Sequence, residues 1–279
     1  MHETLEIRAA DRRNLAADLY LPPKGKGPSP LLVGLHGGGW TRGSRDSFAG
    51  WGGKLAANGF GLLAIDYTLA TAEYPSFPSA IADIAHALRH VAEHAGDMGV
   101  DASQLGLFGL SAGAHLAALA ALGRGDPRLA AAVGGDLGNL ESVKVVVAAY
   151  GIYDVMAHWN WCRDRSDEIP GVELMIGASP AEDPETWMRA SPLSHVRAAG
   201  ARPDFLLLYG VDDEVVDPRG QTLHFAEMLE QTGFGVSVVP VSGAGHFWMS
   251  EPMDEPDSRP AQVLPEVVEF LHKRLSATG

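Results

Sequence analysis

Residues 104–122 restrict the possible fold more than any other segment of this 279-residue chain. The segment opens with an apolar run, Gln104 to Phe108, passes through Gly109-Leu-Ser-Ala-Gly113, and closes with strong helix formers up to Leu122. An apolar run followed directly by helix formers predicts a strand, a tight turn and a helix. The flanking glycines let the two backbones approach closely. Ser111 is therefore expected on a turn that lifts its hydroxyl out of the sheet, the G-x-S-x-G arrangement of a nucleophilic serine.

Apolar strands and helices alternate along the rest of the chain. Such alternation predicts an α/β protein in which helices cover both faces of a mostly parallel central sheet. We predict one domain over residues 1–279, with a short cap-like insertion at about 155–190. The predicted strands are Thr4 to Ile7, Leu15 to Leu21, Leu31 to Leu35, Phe60 to Asp66, Leu105 to Phe108, Val143 to Tyr150, Phe205 to Tyr209 and Val236 to Pro240, and the predicted helices are Ser47 to Asn58, Ala80 to His94, Gln221 to Gln231 and Pro265 to Leu275.

Composition and charge argue against several classes of protein. A net charge of −14 disfavours binding to nucleic acid or to an anionic membrane surface, because both need a basic face. No apolar run reaches the ~18 residues of a membrane span, and Met1 to Tyr20 lacks the pattern of a secretory signal, so a cytoplasmic location is expected. The single cysteine, Cys162, permits no intramolecular disulfide.

Four polar residues follow directly after predicted strands: His36, Ser111, Asp213 and His246. In a parallel sheet such residues meet beyond the carboxyl ends of the strands, where active sites lie. A serine hydroxyl is a poor nucleophile unless a base lies beside it. His246, in a glycine-rich loop after the last apolar strand, is the predicted base, whereas His115 is expected to pack or to cap a helix.

Three further histidines share one face of a predicted helix. His86, His90 and His94 are spaced so that two of them could bind a metal ion. No carboxylate is placed to complete such a site, so we interpret them as a solvated face. We therefore predict neither a metal nor a cofactor.

An acid must orient the imidazole of the base and stabilise its protonated form. The strand Leu206 to Tyr209 leads into a turn that holds Asp212, Asp213 and Glu214. Asp213 is the predicted acid and Asp212 the second choice, while Asp154, after another strand, is the third candidate. The aspartates that do not serve this role are expected to form turns.

Acyl transfer also needs backbone donors aimed at the developing oxyanion. The motif His36-Gly-Gly-Gly-Trp40 follows a predicted strand, and its glycines leave the backbone N–H groups unshielded. Gly38 and Gly39 are the predicted donors together with Ala112, and Gly37 is the reserve. The first residue of the motif is interpreted as a structural hydrogen-bonding group.

Four segments, taken together, resemble the hormone-sensitive-lipase and carboxylesterase branch of the α/β-hydrolases. They span most of the chain and are His36-Gly-Gly-Gly-Trp40, Asp66-Tyr67, Gly109-Leu-Ser-Ala-Gly113, and Gly210-Val-Asp-Asp213 followed by Gly245-His246. The resemblance implies an α/β-hydrolase fold and metal-independent hydrolysis of short carboxylic esters through an acyl-enzyme. It also implies a catalytic triad of Ser111, Asp213 and His246, with an oxyanion hole at the three donors named above.

Several positions depart from the usual pattern of that branch. Leu110 stands where hormone-sensitive-lipase members usually carry Asp, Ala114 where they carry a second glycine, and Thr68 where Arg often follows Asp-Tyr. Only 35 residues precede His36, so no long N-terminal cap is expected. These features favour the smaller esterases and the related arylformamidases. An arylformamidase or other small amidase, and a non-catalytic binding protein on the same fold, are therefore the alternatives to an esterase.

The stretch from Val155 to Ala190 combines aromatic residues with many charges. One interpretation is a short cap whose rings line the substrate pocket, and the other is that the rings anchor the stretch to the body of the protein. Trp40, Trp159, Trp161 and Trp248 are the predicted substrate-binding residues. A small cap encloses little volume, so we expect small-molecule esters with acetyl to butyryl groups as substrates, and a homodimer is a possible assembly.

Overall fold

One eight-stranded sheet forms the centre of the molecule in the computed structural model, which describes residues 2–8, 14–23, 27–132, 138–166, 168–197 and 202–275. Each apolar run assigned to a strand by the sequence analysis lies in this sheet. The strands are β1 (His2–Arg8), β2 (Asn14–Tyr20), β3 (Ser29–Leu35), β4 (Gly61–Ile65), β5 (Val100–Leu110), β6 (Val143–Ala149), β7 (Asp204–Gly210) and β8 (Val236–Val241).

The strand order across the sheet is β1-β2-β4-β3-β5-β6-β7-β8. β1 and β2 form an antiparallel hairpin, and β2 is also antiparallel to β4. The other neighbouring pairs, from β4–β3 to β7–β8, are parallel. The prediction of a mostly parallel central sheet is therefore confirmed, with the antiparallel hairpin added along one edge.

Helices cover both faces of the sheet, as predicted. They are α1 (Ala49–Ala57), α2 (Ser79–Met98), α3 (Ala112–Gly123), α4 (Pro127–Ala132), α5 (Val155–Arg163), α6 (Gly171–Ile176), α7 (Pro184–Ala190), α8 (His224–Gln231) and α9 (Arg259–Arg274). On one face α2, α3 and α8 bury Ile84, Leu116 and Phe225 in a common core, whereas α1 and α9 bury Trp51 and Phe270 on the other. Within the described ranges, no helix combines the length and the apolar character needed to cross a membrane.

Helix α9 begins earlier than the sequence analysis predicted. The predicted start was Pro265, but the helix starts at Arg259. Ser258 is the N-cap residue, and its hydroxyl accepts a hydrogen bond from the backbone N–H of Ala261 at 3.4 Å. Pro260 falls in the first turn, where the missing N–H has no intrahelical partner to lose. These start signals place Pro265 inside the helix.

The stretch 155–190 contains three short helices, α5, α6 and α7, which the sequence analysis did not assign. Val172 and Met175 of α6 and Trp187 of α7 are buried in the same core as α2 and α3. The three helices also contact one another. Their apolar side chains therefore hold the stretch against one face of the sheet.

The carboxyl ends of four strands converge at one edge of the sheet. Leu35 of β3 pairs with Gly109 of β5, and Leu110 pairs with Ala149 of β6. After β7 the backbone N–H of Asp212 donates to the carbonyl of Ala244, in the loop that follows β8, at 3.0 Å. The segments that follow β3, β5, β7 and β8 are thus brought together although they are far apart in the chain.

Candidate active site

Ser111 lies on a strained turn between β5 and α3. Its φ and ψ are 52° and −115°, outside the regions that most residues adopt. Its backbone N–H donates to the carbonyl of Ala149 in the adjacent strand at 2.9 Å. The start of α3 packs against the end of β3 so closely that a Cβ at Gly113 would overlap the carbonyl oxygen of Leu35. The serine is therefore held in place by backbone contacts on both sides.

Ser111, His246 and Asp213 form a hydrogen-bonded series. The Oγ of Ser111 lies 2.9 Å from Nε2 of His246, and Nδ1 of His246 lies 2.7 Å from Oδ2 of Asp213. The other carboxylate oxygen of Asp213 accepts from the backbone N–H groups of Val215 and Val216, each at 2.9 Å. His246 and Asp213 are buried, with 4% and 6% of their surface exposed. Because Nδ1–H donates to the carboxylate, the lone pair of Nε2 can accept the serine proton.

The other carboxylates considered in the sequence analysis lie elsewhere. Asp154 is the N-cap of α5, where one of its oxygens accepts from the backbone N–H groups of Met156 and Ala157 at 3.0 Å. Asp212 and Glu214 are exposed on either side of Asp213. Of these acids, the structure brings Asp213 to the imidazole of His246.

The glycine loop after β3 lies against the serine turn. A Cβ at Gly37 would be 3.1 Å from the carbonyl oxygen of Leu110. Gly38 has a φ of 124°, which favours glycine, and its carbonyl accepts from the backbone N–H groups of Thr41 and Arg42 at 3.3 and 3.2 Å. The loop therefore turns sharply beside Ser111, and the predicted donor glycines lie within it.

His36 and Tyr67 hold the start of this loop in place through hydrogen bonds and ring stacking. The Nδ1–H of His36 donates to the carbonyl of Gly37 at 2.7 Å, and the hydroxyl of Tyr67 donates to the carbonyl of His36 at 2.8 Å. The two rings stack with their centroids 4.2 Å apart. Burial lowers the pKa of His36 and raises the pKa of Tyr67, so both side chains favour their uncharged forms. These contacts fit the structural role expected for His36.

Asp66 holds the end of the glycine loop in place through hydrogen bonds to Arg45. Its two carboxylate oxygens accept from the backbone N–H of Arg45 at 2.8 Å and from the guanidinium of Arg45 at 2.6 Å. The same guanidinium lies 3.0 Å from a carboxylate oxygen of Asp18 on β2. The Asp66-Tyr67 pair, which the sequence analysis quoted without a role, thus supports the glycine loop at both ends.

A cavity of about 630 Å³ opens directly over Ser111. Trp40, Ile152, His158 and Val216 lie on one side of it. The lining also includes Gly37, Gly38, Gly39, Arg42, Gly43, Asp46, Ser47, Gly50, Trp51, Leu110, Ser111, Tyr150, Val215, His246, Phe247, Met249, Ser250, Glu251, Pro252 and Met253. A larger groove of about 1150 Å³ lies at the amino ends of β3 and β4, and Ser111 is not part of its lining. The smaller cavity is the candidate site because it contains the serine and the histidine.

Backbone strain is concentrated around this cavity. Within the described ranges, the residues other than glycine with a positive φ are Trp40 (62°), Ser111 (52°) and Tyr150 (43°). All three line the cavity. Such backbone costs on the order of 1–3 kcal/mol per residue and clusters at functional sites. Sequence reasoning missed Tyr150, whose ring lies edge-on to His246 with centroids 4.6 Å apart, because no residue pattern marks a positive φ at tyrosine.

The predicted substrate-binding tryptophans are divided by the structure. Trp40 lines the cavity. Trp248 is buried against Tyr150, with ring centroids 5.8 Å apart, and does not line the cavity. Trp159 donates to Glu173 at 2.7 Å, and Trp161 lies beneath the guanidinium of Arg165; neither lines the cavity. The positions of Trp159 and Trp161 favour the interpretation in which the rings of α5 anchor the stretch 155–190. A role in substrate binding for Trp159, Trp161 and Trp248 stays a prediction.

Two buried histidines lie beside Trp40. Nε2 of His115 donates to the carbonyl of Ala190 at 2.8 Å, and Nδ1 accepts from the indole N–H of Trp40 at 3.0 Å. His158 lines the cavity and contacts Trp40 edge-on, with ring centroids 6.2 Å apart. Burial lowers the pKa of each histidine to about 4, so both are uncharged at neutral pH. The packing role expected for His115 agrees with these contacts, whereas His158 was left without a role by the sequence analysis.

The strand order, the serine turn between β5 and α3, and the acid and base after β7 and β8 define an α/β-hydrolase of the hormone-sensitive-lipase and carboxylesterase type. The resemblance seen in the sequence is thereby confirmed. The chain belongs to the BD-FAE family, whose model matches residues 17–229.

Individual similar proteins agree with this assignment. The chain is 32% identical over 225 residues to Esterase LipC of Mycobacterium tuberculosis, covering 78% of this chain and 53% of LipC. It spans about half the length of several curated relatives that it matches. A truncated carbohydrate esterase from gut microbiota superposes with a TM-score of 0.79 at 26% identity, covering 98% of this chain and 95% of that one. Propionate-bound esterase 2 of Thermogutta terrifontis superposes with a TM-score of 0.75 at 25% identity, with coverage of 99% and 96%.

Proposed function

We propose that this chain hydrolyses short-chain carboxylic esters through an acyl-enzyme formed on Ser111. The observation that carries the proposal is the hydrogen-bonded series from Ser111 through His246 to Asp213 at the floor of the cavity. Membership of the BD-FAE family supports it, and the similar proteins named above are esterases.

In the proposed reaction, Oγ of Ser111 attacks the ester carbonyl carbon while Nε2 of His246 accepts the hydroxyl proton. The carboxylate of Asp213 stabilises the resulting imidazolium and keeps the ring oriented. When the tetrahedral intermediate collapses, the alkoxide leaves and takes the proton from His246. A water molecule then attacks the acyl-enzyme while His246 accepts its proton. The bond between Oγ of Ser111 and the acyl carbon breaks, His246 returns the proton to Oγ, and the carboxylic acid is released.

The negative oxygen of the tetrahedral intermediate needs stabilisation by preorganised donors. We propose the backbone N–H groups of Gly38, Gly39 and Ala112 for this role. Ala112 directly follows Ser111 at the first position of α3, and the two glycines lie in the loop that contacts the serine turn at Gly37. Positioning of this loop by the Asp66–Arg45 pair supports the assignment.

The proposed substrates are small neutral esters with acetyl to butyryl groups. The net charge of −14 disfavours anionic substrates. The similar esterase 2 of Thermogutta terrifontis has a structure with bound propionate, a short carboxylate, and this supports a site that accepts short acyl groups. A cytoplasmic location and a possible homodimer stay predictions.

We also propose one domain in which residues 155–190 act as a short cap over the cavity. His158 of α5 is part of the cavity lining, which supports this role. A Cβ at Gly171, at the start of α6, would lie 2.7 Å from the carbonyl oxygen of Gly39, so the stretch also abuts the glycine loop. The remaining aromatic rings of the stretch then serve to anchor it.

A panel of p-nitrophenyl esters from acetate to dodecanoate, with N-formylkynurenine as the amide substrate, tests the proposal. We expect kcat/KM to be highest between acetate and butyrate, to fall by octanoate, and to be unaffected by EDTA. Diethyl p-nitrophenyl phosphate should modify Ser111, as located by peptide mass spectrometry, and the Ser111→Ala variant should not be modified. Turnover of N-formylkynurenine without turnover of any ester would favour the amidase alternative. A protein that neither turns over a substrate nor reacts with the phosphate would be a binding protein.

A further inference from the structure

Three consecutive residues of the glycine loop have a positive φ. The values are 124° at Gly38, 59° at Gly39 and 62° at Trp40. The two glycines tolerate such backbone because they have no Cβ. Trp40 carries a bulky side chain, so its backbone is strained there and persists only when the surroundings hold it. Contacts from outside the loop must therefore keep Trp40, and with it the end of the loop, in this conformation.

Two hydrogen bonds from outside the loop hold Trp40. Its carbonyl accepts from the backbone N–H of Ala70 at 2.8 Å, and its indole N–H donates to Nδ1 of His115 at 3.0 Å. The two rings are nearly perpendicular, at 88°, with centroids 5.2 Å apart. Trp40 and His115 are 2% and 0% exposed, so bulk water cannot replace either partner of the side-chain bond. Loss of the acceptor would leave a buried donor unsatisfied, which is costly.

His115 connects Trp40 to two other elements. It lies on α3, and its backbone N–H donates to the carbonyl of Ser111 at 3.0 Å. Its Nε2–H donates to the carbonyl of Ala190 at the end of α7 at 2.8 Å. A carbonyl can only accept and an indole N–H can only donate, so the two partners require the proton on Nε2 and the lone pair on Nδ1. Burial lowers the pKa of His115 to about 4, which keeps that lone pair available at neutral pH.

We infer that His115 is a positioning residue, which holds the glycine loop in place relative to Ser111 through the indole of Trp40. The inference rests on the proposed function, in which the N–H groups of Gly38 and Gly39 stabilise the oxyanion. His115 itself does not line the cavity, so it acts through its neighbour. Because α3 starts at the serine turn, a hydrogen bond from α3 to Trp40 links the loop to the nucleophile. Oxyanion donors are effective only when they are held within about 0.5 Å of the productive position.

Two variants of His115 separate its two side-chain hydrogen bonds. His115→Asn places an oxygen near the position of Nδ1, so Trp40 keeps an acceptor. His115→Gln places an amide near the position of Nε2, so the bond to Ala190 can remain while the indole loses its acceptor. The assay substrate is p-nitrophenyl acetate, and rates are normalised to sites titrated with diethyl p-nitrophenyl phosphate.

The Gln variant should lower kcat by on the order of tenfold or more and change KM by less than about twofold. Both values follow from a loosened oxyanion site, because acylation and deacylation each pass through a tetrahedral intermediate and slow together. The Asn variant should keep kcat within about threefold of the wild type, since the indole retains its acceptor.

His195→Gln is the matched control. His195 is also buried, at 5% exposed, and its Nε2 donates to the carbonyl of Arg189 at 2.8 Å, one residue before Ala190. Its side chain does not line the cavity. The control variant should lose stability in urea unfolding but keep the wild-type kcat, which separates positioning of the loop from general support of the fold.

Trp40→Phe shows whether the effect runs through the indole. This variant keeps an aromatic ring but removes the donor, so it should lower kcat, and His115→Gln added to it should lower kcat no further. A nitrogen–nitrogen coupling across the hydrogen bond, measured by NMR in isotope-labelled wild type, should join Nε1 of Trp40 to Nδ1 of His115. The coupling and the Trp40→Phe variant keep the inference testable if the His115 variants do not fold.

Three outcomes would overturn the inference while the proposed function stands, as turnover of the ester and reaction with the phosphate by the wild type would show. They are equal kcat values in His115→Asn and His115→Gln, a further loss of kcat when His115→Gln is added to Trp40→Phe, and no coupling between the two nitrogens in the wild type. A wild type that reacts with neither the ester nor the phosphate would remove the proposed function and the inference together.

Discussion

The cavity is bounded by two regions that are built differently. The loop region consists of Gly37–Trp40, Ser111 and His246, each within a few residues of a strand end. The α5 region, Ile152–Cys162, is placed by a distant residue: the buried side chain of Gln221 accepts from the backbone N–H groups of Tyr153 and Asp154 at 2.7 and 2.9 Å and donates to the carbonyl of Asp154 at 3.0 Å.

The two regions therefore have different expected roles: the loop region carries the reacting groups, and the α5 region shapes the cavity that selects the substrate. In the loop region, strained turns and close backbone packing at the strand ends fix the reacting atoms. In the α5 region, the start of the helix is positioned by the side chain of one residue, Gln221, that lies 67 and 68 residues away in the chain. We therefore expect changes in the loop region to abolish turnover, and changes in the α5 region to alter stability and substrate preference.

The largest effect is expected from Ser111→Ala in the loop region. Loss of the nucleophile should lower kcat by on the order of 10⁴ or more, because the remaining groups cannot form an acyl-enzyme. The melting temperature should change little, since the hydroxyl contributes one hydrogen bond. Stopped-flow assays with p-nitrophenyl acetate give the rate, and a variant with near-normal turnover would contradict the proposed mechanism.

The two neighbouring aspartates provide the next largest effect. Asp213→Asn should lower kcat by on the order of 10⁴, because an amide in place of the carboxylate favours the wrong tautomer of His246. Asp212→Asn is the matched control, and its exposed side chain predicts a small change. The same assay ranks the two variants, and the reverse ranking would show that the acid was assigned to the wrong neighbour.

Acidification should destabilise the protein through buried histidines with lowered pKa values, His115 and His158 among them. His115 and His158 have pKa values of about 4 in the fold, while a free histidine titrates near ~6.5. Above pH ~6.5 neither state binds these protons, so the stabilising contribution is complete. Between ~6.5 and 4 the unfolded chain takes up protons that the folded chain does not, so the free energy of unfolding falls, by at most roughly 3 kcal/mol per histidine.

Urea unfolding at pH 7.5, 6 and 5 measures this effect. His158→Phe should show a shallower decline with falling pH than the wild type, because one of the buried histidines with a lowered pKa has been removed. The matched control is His224→Gln, an exposed histidine on α8, which should follow the wild-type slope. A free energy of unfolding that stays constant from pH 7.5 to 5 would be inconsistent with uncharged buried histidines.

Gln221 tests the long-range support of the α5 region. Gln221→Leu leaves the backbone N–H groups of Tyr153 and Asp154 without an acceptor, so the free energy of unfolding should fall by about 2 kcal/mol or more. Gln262→Leu removes an exposed glutamine that bonds the carbonyl of Asp257 and should have a much smaller effect. Equal effects in urea unfolding would mean that Gln221 does not position α5.

The smallest effect on activity is expected for Trp159→Ala. This variant tests whether the ring of Trp159 anchors the stretch 155–190 or lines the substrate cavity. Its ring is partly buried and packs edge-on to Trp187 with centroids 6.1 Å apart, so we expect a loss of roughly 0.5–3 kcal/mol in stability and an unchanged acyl-chain profile. Ile152→Ala, which enlarges the cavity itself, should move the preferred acyl chain toward longer groups. A shifted profile for Trp159→Ala would instead support the cap lining predicted from the sequence.

Much of the fold and part of the site followed from local patterns. Strands and helices were predictable because apolar spacing reflects backbone periodicity, and the turn at Ser111 was predictable because glycines permit close backbone packing. Placing His246 after the last strand was enough to bring it near Ser111, since the carboxyl ends of parallel strands share one edge. Choosing Asp213 over Asp212 needed the family's spacing, because adjacent residues on a turn are alike in composition but differ in direction.

Only the tertiary structure decided what surrounds the reacting atoms. The positive φ of Trp40 and Tyr150 and the surroundings of His158 depend on which residues the fold places against them. No local pattern records such contacts, because a side chain lines a cavity or fills a core according to what the rest of the chain places against it. The turn that carries the nucleophile could therefore be predicted from five residues of sequence. The residues that line the cavity around it could be identified only from the tertiary structure.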